Sequence, residues 1–365
     1  MKTTPWPQNA RWQSENGAPV PEALSIVDDS TSADVALAMV RNGETALYRG
    51  DYRNARQLLD AMSRRLLKQR PNVRSKELRD HFFAERQAKA REAELLGRLV
   101  VEVDAAGRVS ADSGPDVKDA VEAAWGPLQG ATVVALRELL GVIGAHEWRR
   151  NGIEVPAIGG RISPHYGVFG PIRQEYVDLV ARAPALNGKI AFDVGTGTGV
   201  LAILLAKKGA SRVVATDLDP RAVRNARESI EQHGVQKIVS VEERDLLPEG
   251  TADVIVFNPP WLPAKPQTSV DRAIYDEGGA TVKRFLAEAK AHLEPDGEVW
   301  LVISDLAERI GIRRPALLEE LWKKGGLKLL SRTEMSARHP RAKDEEDPLH
   351  EARAAEVTSL YRLGV

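Results

Sequence analysis

The chain has 365 residues, 43% of them hydrophobic and 28% charged, and its net charge is −1. That balance excludes a wholly disordered chain and a collagen-like repeat, and the length suits two domains of an ordinary globular protein. With no cysteine, disulfides, thiolate nucleophiles and iron–sulfur or zinc–thiolate centres are excluded, and a reducing cytoplasm fits. Seven histidines show no i, i+4 pair, so no metal is expected. The longest apolar runs, 139–145 and 200–206, fall far short of the roughly 18–20 residues that cross a bilayer. Nor does the start of the chain carry the apolar stretch of a secretory signal.

The first 20 residues, rich in Pro, Asn and Gln, read as an arm. Helical spacing then covers 34–40, stopped by Asn42-Gly43, and 52–68, where Asp51 is a plausible N-cap and Pro71 a stop. Another helix is predicted over 75–96. A small hairpin follows at 99–103 and 108–110, and further helices at 116–124 and 133–149. Residues 1–155 are therefore expected to form a mostly helical domain for substrate recognition. Within it, residues 49–98 carry 14 Lys and Arg against 7 Asp and Glu. Such a stretch suits an anionic partner such as RNA, or else a set of solvated helix faces with i, i+4 ion pairs.

From about residue 156 the pattern changes. Short β-branched runs at 189–194, 212–216, 238–242, 253–257 and 298–304 alternate with helical stretches at 199–208, 220–233 and 280–293. Strand–helix alternation predicts an α/β domain with a mostly parallel sheet, whose ligands lie at the carboxyl ends of the strands.

The first of these strands runs into Asp193-Val194-Gly195-Thr196-Gly197-Thr198-Gly199 and then at once into a helix. Closely spaced glycines let backbone amides approach a ligand. Dinucleotide folds use a similar loop, but Val200 stands where their fingerprint needs its third small residue. Asp193 would repel a pyrophosphate and attract an ammonium group. The second strand ends at Asp217, followed by Leu218, where a carboxylate can accept from two ribose hydroxyls. Ribose and ammonium without phosphate describe S-adenosylmethionine. After the third strand, Asp245 is a candidate for the adenine amino group, with Leu246 packing on the ring.

The fourth strand delivers Asn258-Pro259-Pro260-Trp261 to the same sheet edge. Prolines fix φ and supply no amide donors, leaving the Pro259 carbonyl free to accept beside the Asn258 side-chain oxygen. Two such acceptors match the two N–H bonds of a planar NH2 group, and Trp261 offers a flat face. A planar nitrogen is a poor nucleophile because its lone pair is delocalised. Holding both N–H bonds aims that lone pair and favours pyramidal nitrogen.

Asp193 to Gly199, Asp217, Asp245 and Asn258 to Trp261, in this order, resemble class I S-adenosylmethionine-dependent methyltransferases. The tetrad is similar to that of HemK-type glutamine methyltransferases and of small-domain rRNA base methyltransferases. The resemblance spans roughly 160–365 and implies a Rossmann-like seven-stranded sheet with an antiparallel last strand, in a catalytic domain over 156–365. It further implies that Asp193, Gly195, Thr196, Gly197, Gly199, Asp217, Leu218, Asp245, Leu246 and Asn258 form the cofactor site. Asn258, Pro259, Pro260 and Trp261 would act on the acceptor, preferably a protein glutamine amide, alternatively an exocyclic base nitrogen of RNA. A cofactor-binding scaffold that methylates nothing is the rival from another class. Departures are Ser229 for the usual Asn, Trp261 for the usual Tyr of the glutamine enzymes, and only a loose match at 169–175. Tyr166 and Phe169 are expected to close the pocket, or else to pack a domain boundary. The mixed-charge stretch 336–353, ahead of a last strand expected around 356–362, reads as a solvated loop or an insertion near the substrate mouth.

Overall fold

A computed structural model describes residues 3–4, 6, 10–70, 72–266, 270–338 and 340–365. The expected helix stop at Pro71, and His339 of the mixed-charge stretch, lie outside these residues. The chain forms two compact units, Met1–Arg74 with Phe83–Glu147, and Ser75–Phe82 with Trp148–Val365. No helix among the described residues is long and apolar enough to cross a membrane.

The first unit corrects the expectation of a mostly helical domain. It contains a six-stranded sheet in the order Thr3–Thr4, Leu24–Val27, Ala46–Tyr48, Leu99–Val103, Thr132–Ala135, Arg11–Gln13. Three of the missed strands are short and almost wholly buried, such as Ala46–Tyr48, so their side chains show no alternation to read. Thr132–Ala135 also runs straight into the helix Leu136–Asn151 without a breaker, which is why the sequence pattern looked helical from residue 133. The helices Ala33–Arg41 and Tyr52–Lys68 do form, capped by the Ser32 and Asp51 side chains. Part of the basic excess is paired, Arg65 with Asp34 at 2.6 Å and Arg70 with Glu92 at 2.6 Å. Arg53, Arg56, Arg64 and Lys68 stand exposed along one face of Tyr52–Lys68.

In the second unit the helix α1 (Glu175–Arg182) precedes β1 (Ile190–Val194), α2 (Val200–Lys207), β2 (Arg212–Asp217), α3 (Pro220–Gln232), β3 (Val239–Glu243) and β4 (Ala252–Phe257). Then come α4 (Ala280–Glu288), β5 (Leu293–Ser304), α5 (Leu317–Lys324), β6 (Lys328–Ser336) and β7 (Val357–Gly364). The sheet order is β3-β2-β1-β4-β5-β7-β6. The first five strands in that order are parallel, and β7 runs antiparallel to both β5 and β6.

Both faces of the sheet are covered. Val200 to Ala206 of α2 are all buried on one side with Tyr176 and Val180 of α1. On the other, Phe285 and Leu286 of α4 pack with Phe257 and Trp322. An α2 so uniformly apolar can only be a buried helix, and it fixes where the loop before it emerges.

Candidate active site

Register places the candidate residues together. Val194 of β1 pairs with Thr216 of β2 on one side and with Phe257 of β4 on the other. The next residues, Gly195, Asp217 and Asn258, therefore leave the sheet side by side at its carboxyl edge, where an open parallel sheet takes its ligands.

The glycine loop turns through left-handed backbone at Gly195, Gly197 and Gly199, with φ of +66°, +56° and +83°. It is tied to β2 by the Thr196 amide, which donates to the Thr216 carbonyl at 2.8 Å. A further tie is the Gly197 amide, which donates to Asp217 Oδ2 at 2.9 Å. The glycines do different work. A Cβ at Gly197 would meet nothing within 4 Å, whereas at Gly199 it would lie 3.2 Å from the Ala226 Cα of α3. Gly197 thus borders open space, and Gly199 lets α2 and α3 approach. Gly199→Ala is expected to lose about 1–3 kcal/mol more stability than Gly197→Ala in urea unfolding, because overpacking adds to the shared backbone strain. Equal losses would contradict the packing role.

Asp217 Oδ1 accepts the Asp219 amide at 2.9 Å, and burial raises the carboxyl's pKa. Each oxygen keeps a lone pair for a further donor. Beside it Leu218 is 66% exposed, unusual for a leucine. Asp193 is 1% exposed; the Thr196 hydroxyl donates to its Oδ2 at 2.6 Å, and Oδ1 has no hydrogen-bond partner. Leu246 is buried in the sheet core with a left-handed φ of +62°, and its carbonyl accepts from the Thr216 hydroxyl at 2.6 Å. Asp245 is exposed, with Oδ2 bound to Arg284 at 2.8 Å.

In the tetrad, Asn258 Oδ1 accepts the Trp261 indole N–H at 3.0 Å. The Pro259 carbonyl carries no hydrogen bond among the described residues. Trp261 has partners of its own. The Arg173 guanidinium covers its ring at 4.9 Å from the centroid, and the buried Arg313 donates to its carbonyl at 3.2 Å. The stretch 336–353 is not a solvated loop throughout. Leu349 and Ala352 are buried with Leu262 and Ala264, immediately after the tetrad. Tyr166 and Phe169 are half-buried in a segment fastened to α3. There the His165 amide donates to Asn225 Oδ1 at 2.8 Å, and the His165 ring meets Glu228 at 2.7 Å. Burial lowers the His165 pKa.

The methyltransferase small domain model matches residues 177–322. The "Putative protein N5-glutamine methyltransferase MJ0928" of Methanocaldococcus jannaschii is 32% identical over 162 residues, 42% of this chain and 80% of that protein. This chain belongs to the class I S-adenosylmethionine-dependent methyltransferases. The ribosomal protein L11 methyltransferase of Desulforamulus reducens is 51% identical over 74 residues, 20% of this chain and only 24% of that enzyme. A methyltransferase structure from Pyrococcus furiosus aligns with a TM-score of 0.40 at 20% identity, over 56% of this chain and 90% of that one.

S-adenosylmethionine, the methyl donor of the family, suits the residues present in this methyltransferase. Open space borders Gly197, the partly satisfied Asp217 carboxylate stands beside it, and a buried Asp193 oxygen lacks a donor. Burial pushes Asp193 up to about 7, eased by the Thr196 hydroxyl and the Ala202 amide and reinforced by the nearby Asp217 charge. Between about pH 4 and pH 7 the folded methyltransferase keeps this proton while the unfolded chain has released it. Stability therefore falls as pH rises through that window, by on the order of a few kcal/mol. Asp193→Asn should remove this loss, so its advantage over wild type in urea unfolding grows from about pH 4 to about pH 8. An advantage independent of pH would show that burial does not govern this group.

Three residues near the site escaped the sequence reading. Asn225 had a local signal, a polar side chain inside the apolar stripe of α3. Arg313 and Glu356 had none, because their contacts with Trp261 and Arg173 join distant parts of the chain; Arg173 itself lies in the stretch 169–175 that the resemblance matched only loosely.

Proposed function

We propose that this methyltransferase acts on a planar nitrogen, with a protein glutamine amide as its preferred acceptor. The observation that carries this reading is the register that sets Asn258 and Pro259 beside Gly195, one strand from Asp217. On this reading Gly195, Thr196 and Gly197 shape the donor site. Asp217 accepts from the ribose hydroxyls, Leu218 covers the nucleoside, and Asp193 balances the ammonium group. When bound, S-adenosylmethionine supplies an electrophilic methyl group.

Asn258 Oδ1 and the Pro259 carbonyl accept the two N–H bonds of the acceptor amide, turning its lone pair out of conjugation. Pro260 stiffens the turn, and no strong base is needed, because a methylated amide nitrogen loses its proton to water readily. The relatives named for glutamine and for ribosomal protein L11 support a protein acceptor. The N-terminal unit serves substrate selection.

The test is to label cell extract with tritiated S-adenosylmethionine and digest the product. N5-methylglutamine is the expected result. A methylated nucleoside would favour the second reading, an exocyclic base nitrogen of RNA. That reading draws on the exposed Arg53, Arg56, Arg64 and Lys68, which suit phosphates. Label released by ribonuclease and lost above moderate salt would mark it.

A further inference from the structure

We propose that Arg173 is a positioning residue for methyl transfer, acting through Trp261 on the Asn258 carboxamide. The inference rests on the reading that Asn258 holds the acceptor nitrogen.

The contacts form a chain. Glu356 is completely buried, and a buried carboxylate needs partners. Arg173 supplies a forked pair, Nη2 at 2.9 Å and Nη1 at 3.4 Å, and the Ser304 hydroxyl donates to Glu356 at 2.5 Å. Both ends of this arrangement are rigid, since Ser304 closes β5 and Glu356 immediately precedes β7. A planar guanidinium held in that fork cannot rotate freely, and it is laid over the Trp261 ring, a favourable cation–π contact. The ring so fixed aims its indole N–H at Asn258 Oδ1.

The Trp261 backbone is fixed separately. Arg313 donates to its carbonyl while also binding the Ser304 carbonyl at 2.6 Å and Glu308 at 2.7 Å. With the main chain anchored by one arginine and the ring by the other, the Asn258 carboxamide has one direction to point. An acceptor oxygen defines a productive nitrogen geometry only if it is held still.

Arg173→Lys keeps a charge against Glu356 but loses the plane. It is expected to lower methyl incorporation from tritiated S-adenosylmethionine into cell extract about tenfold. Donor affinity by calorimetry stays within about twofold, because the residue acts on the acceptor side. A second readout is independent of turnover. The Trp261 indole N–H signal, identified by its loss in Trp261→Phe, should exchange with water about tenfold faster in Arg173→Lys. Trp261→Phe alone should also lose about tenfold in labelling, and adding Arg173→Lys to it should cost nothing more, as for two residues acting in series.

Unchanged labelling, unchanged indole exchange or additive losses would each overturn the proposal. If Arg173→Lys does not fold, wild-type labelling by Trp261→Phe overturns it alone. Asn258→Ala separates the two levels. Full labelling by that variant removes the underlying reading, whereas loss of labelling there with none in Arg173→Lys removes only this inference.

Discussion

Replacing Asn258 with alanine is expected to lower methyl incorporation by about 10²–10³-fold while weakening donor binding no more than about tenfold. The asymmetry follows from placement. Asn258 leaves β4 beside Gly195, and its oxygen is aimed by the Trp261 indole, so it touches the donor site only at its border. Its larger contribution is to hold a nitrogen whose shape changes during the reaction, and such interactions act on rate rather than on ground-state affinity. Single-turnover labelling gives the rate and calorimetry the affinity. Loss of both in equal measure would make Asn258 a donor ligand instead. A variant that binds the donor while wild type and variant alike label nothing would favour the scaffold reading.

Asp217→Ala should have the opposite signature. Two charge-assisted hydrogen bonds to a ribose are together worth about 3–5 kcal/mol, so donor affinity should fall about 10²–10³-fold. The unliganded protein should not suffer equally. Burial already raises the Asp217 pKa, a sign that the carboxylate is held there at some cost. The thermal midpoint is therefore expected to hold or to rise, the pattern of a residue kept for function at the expense of stability. A fall in midpoint with normal affinity would instead make Asp217 a loop anchor for Gly197.

The catalytic half was readable because its elements obey local rules. Alternating β-branched and helical runs gave five strands of the sheet, and a last strand read around 356–362 is β7. The glycine loop, Asp217 and the Asn258–Trp261 turn each sit where a strand stops, so strand order alone brings them together. What the sequence hid was of two kinds. Strands such as Ala46–Tyr48 are short and buried on both faces, which removes the alternation that identifies a strand. β6 was missed for the converse reason: seven of its nine residues are exposed, leucines included, so it carries no buried face to read. Long-range partners were hidden too. Arg284 binds one oxygen of Asp245 from 39 residues away, and Arg173 lies over Trp261 from 88 residues away.

The position of β7 bears on how the protein is made. Residues 357–364 fill the slot between β5 and β6, with Leu360 and Leu363 almost wholly buried there. During synthesis from the amino end, β5 must wait with an unpaired edge until some fifty residues more have emerged, because its partner on that side is encoded beyond β6. An open strand edge next to Val299, Leu301 and Ile303 is a template for pairing with other chains. Nascent chains should accordingly be most prone to aggregate in the interval before β7 leaves the ribosome.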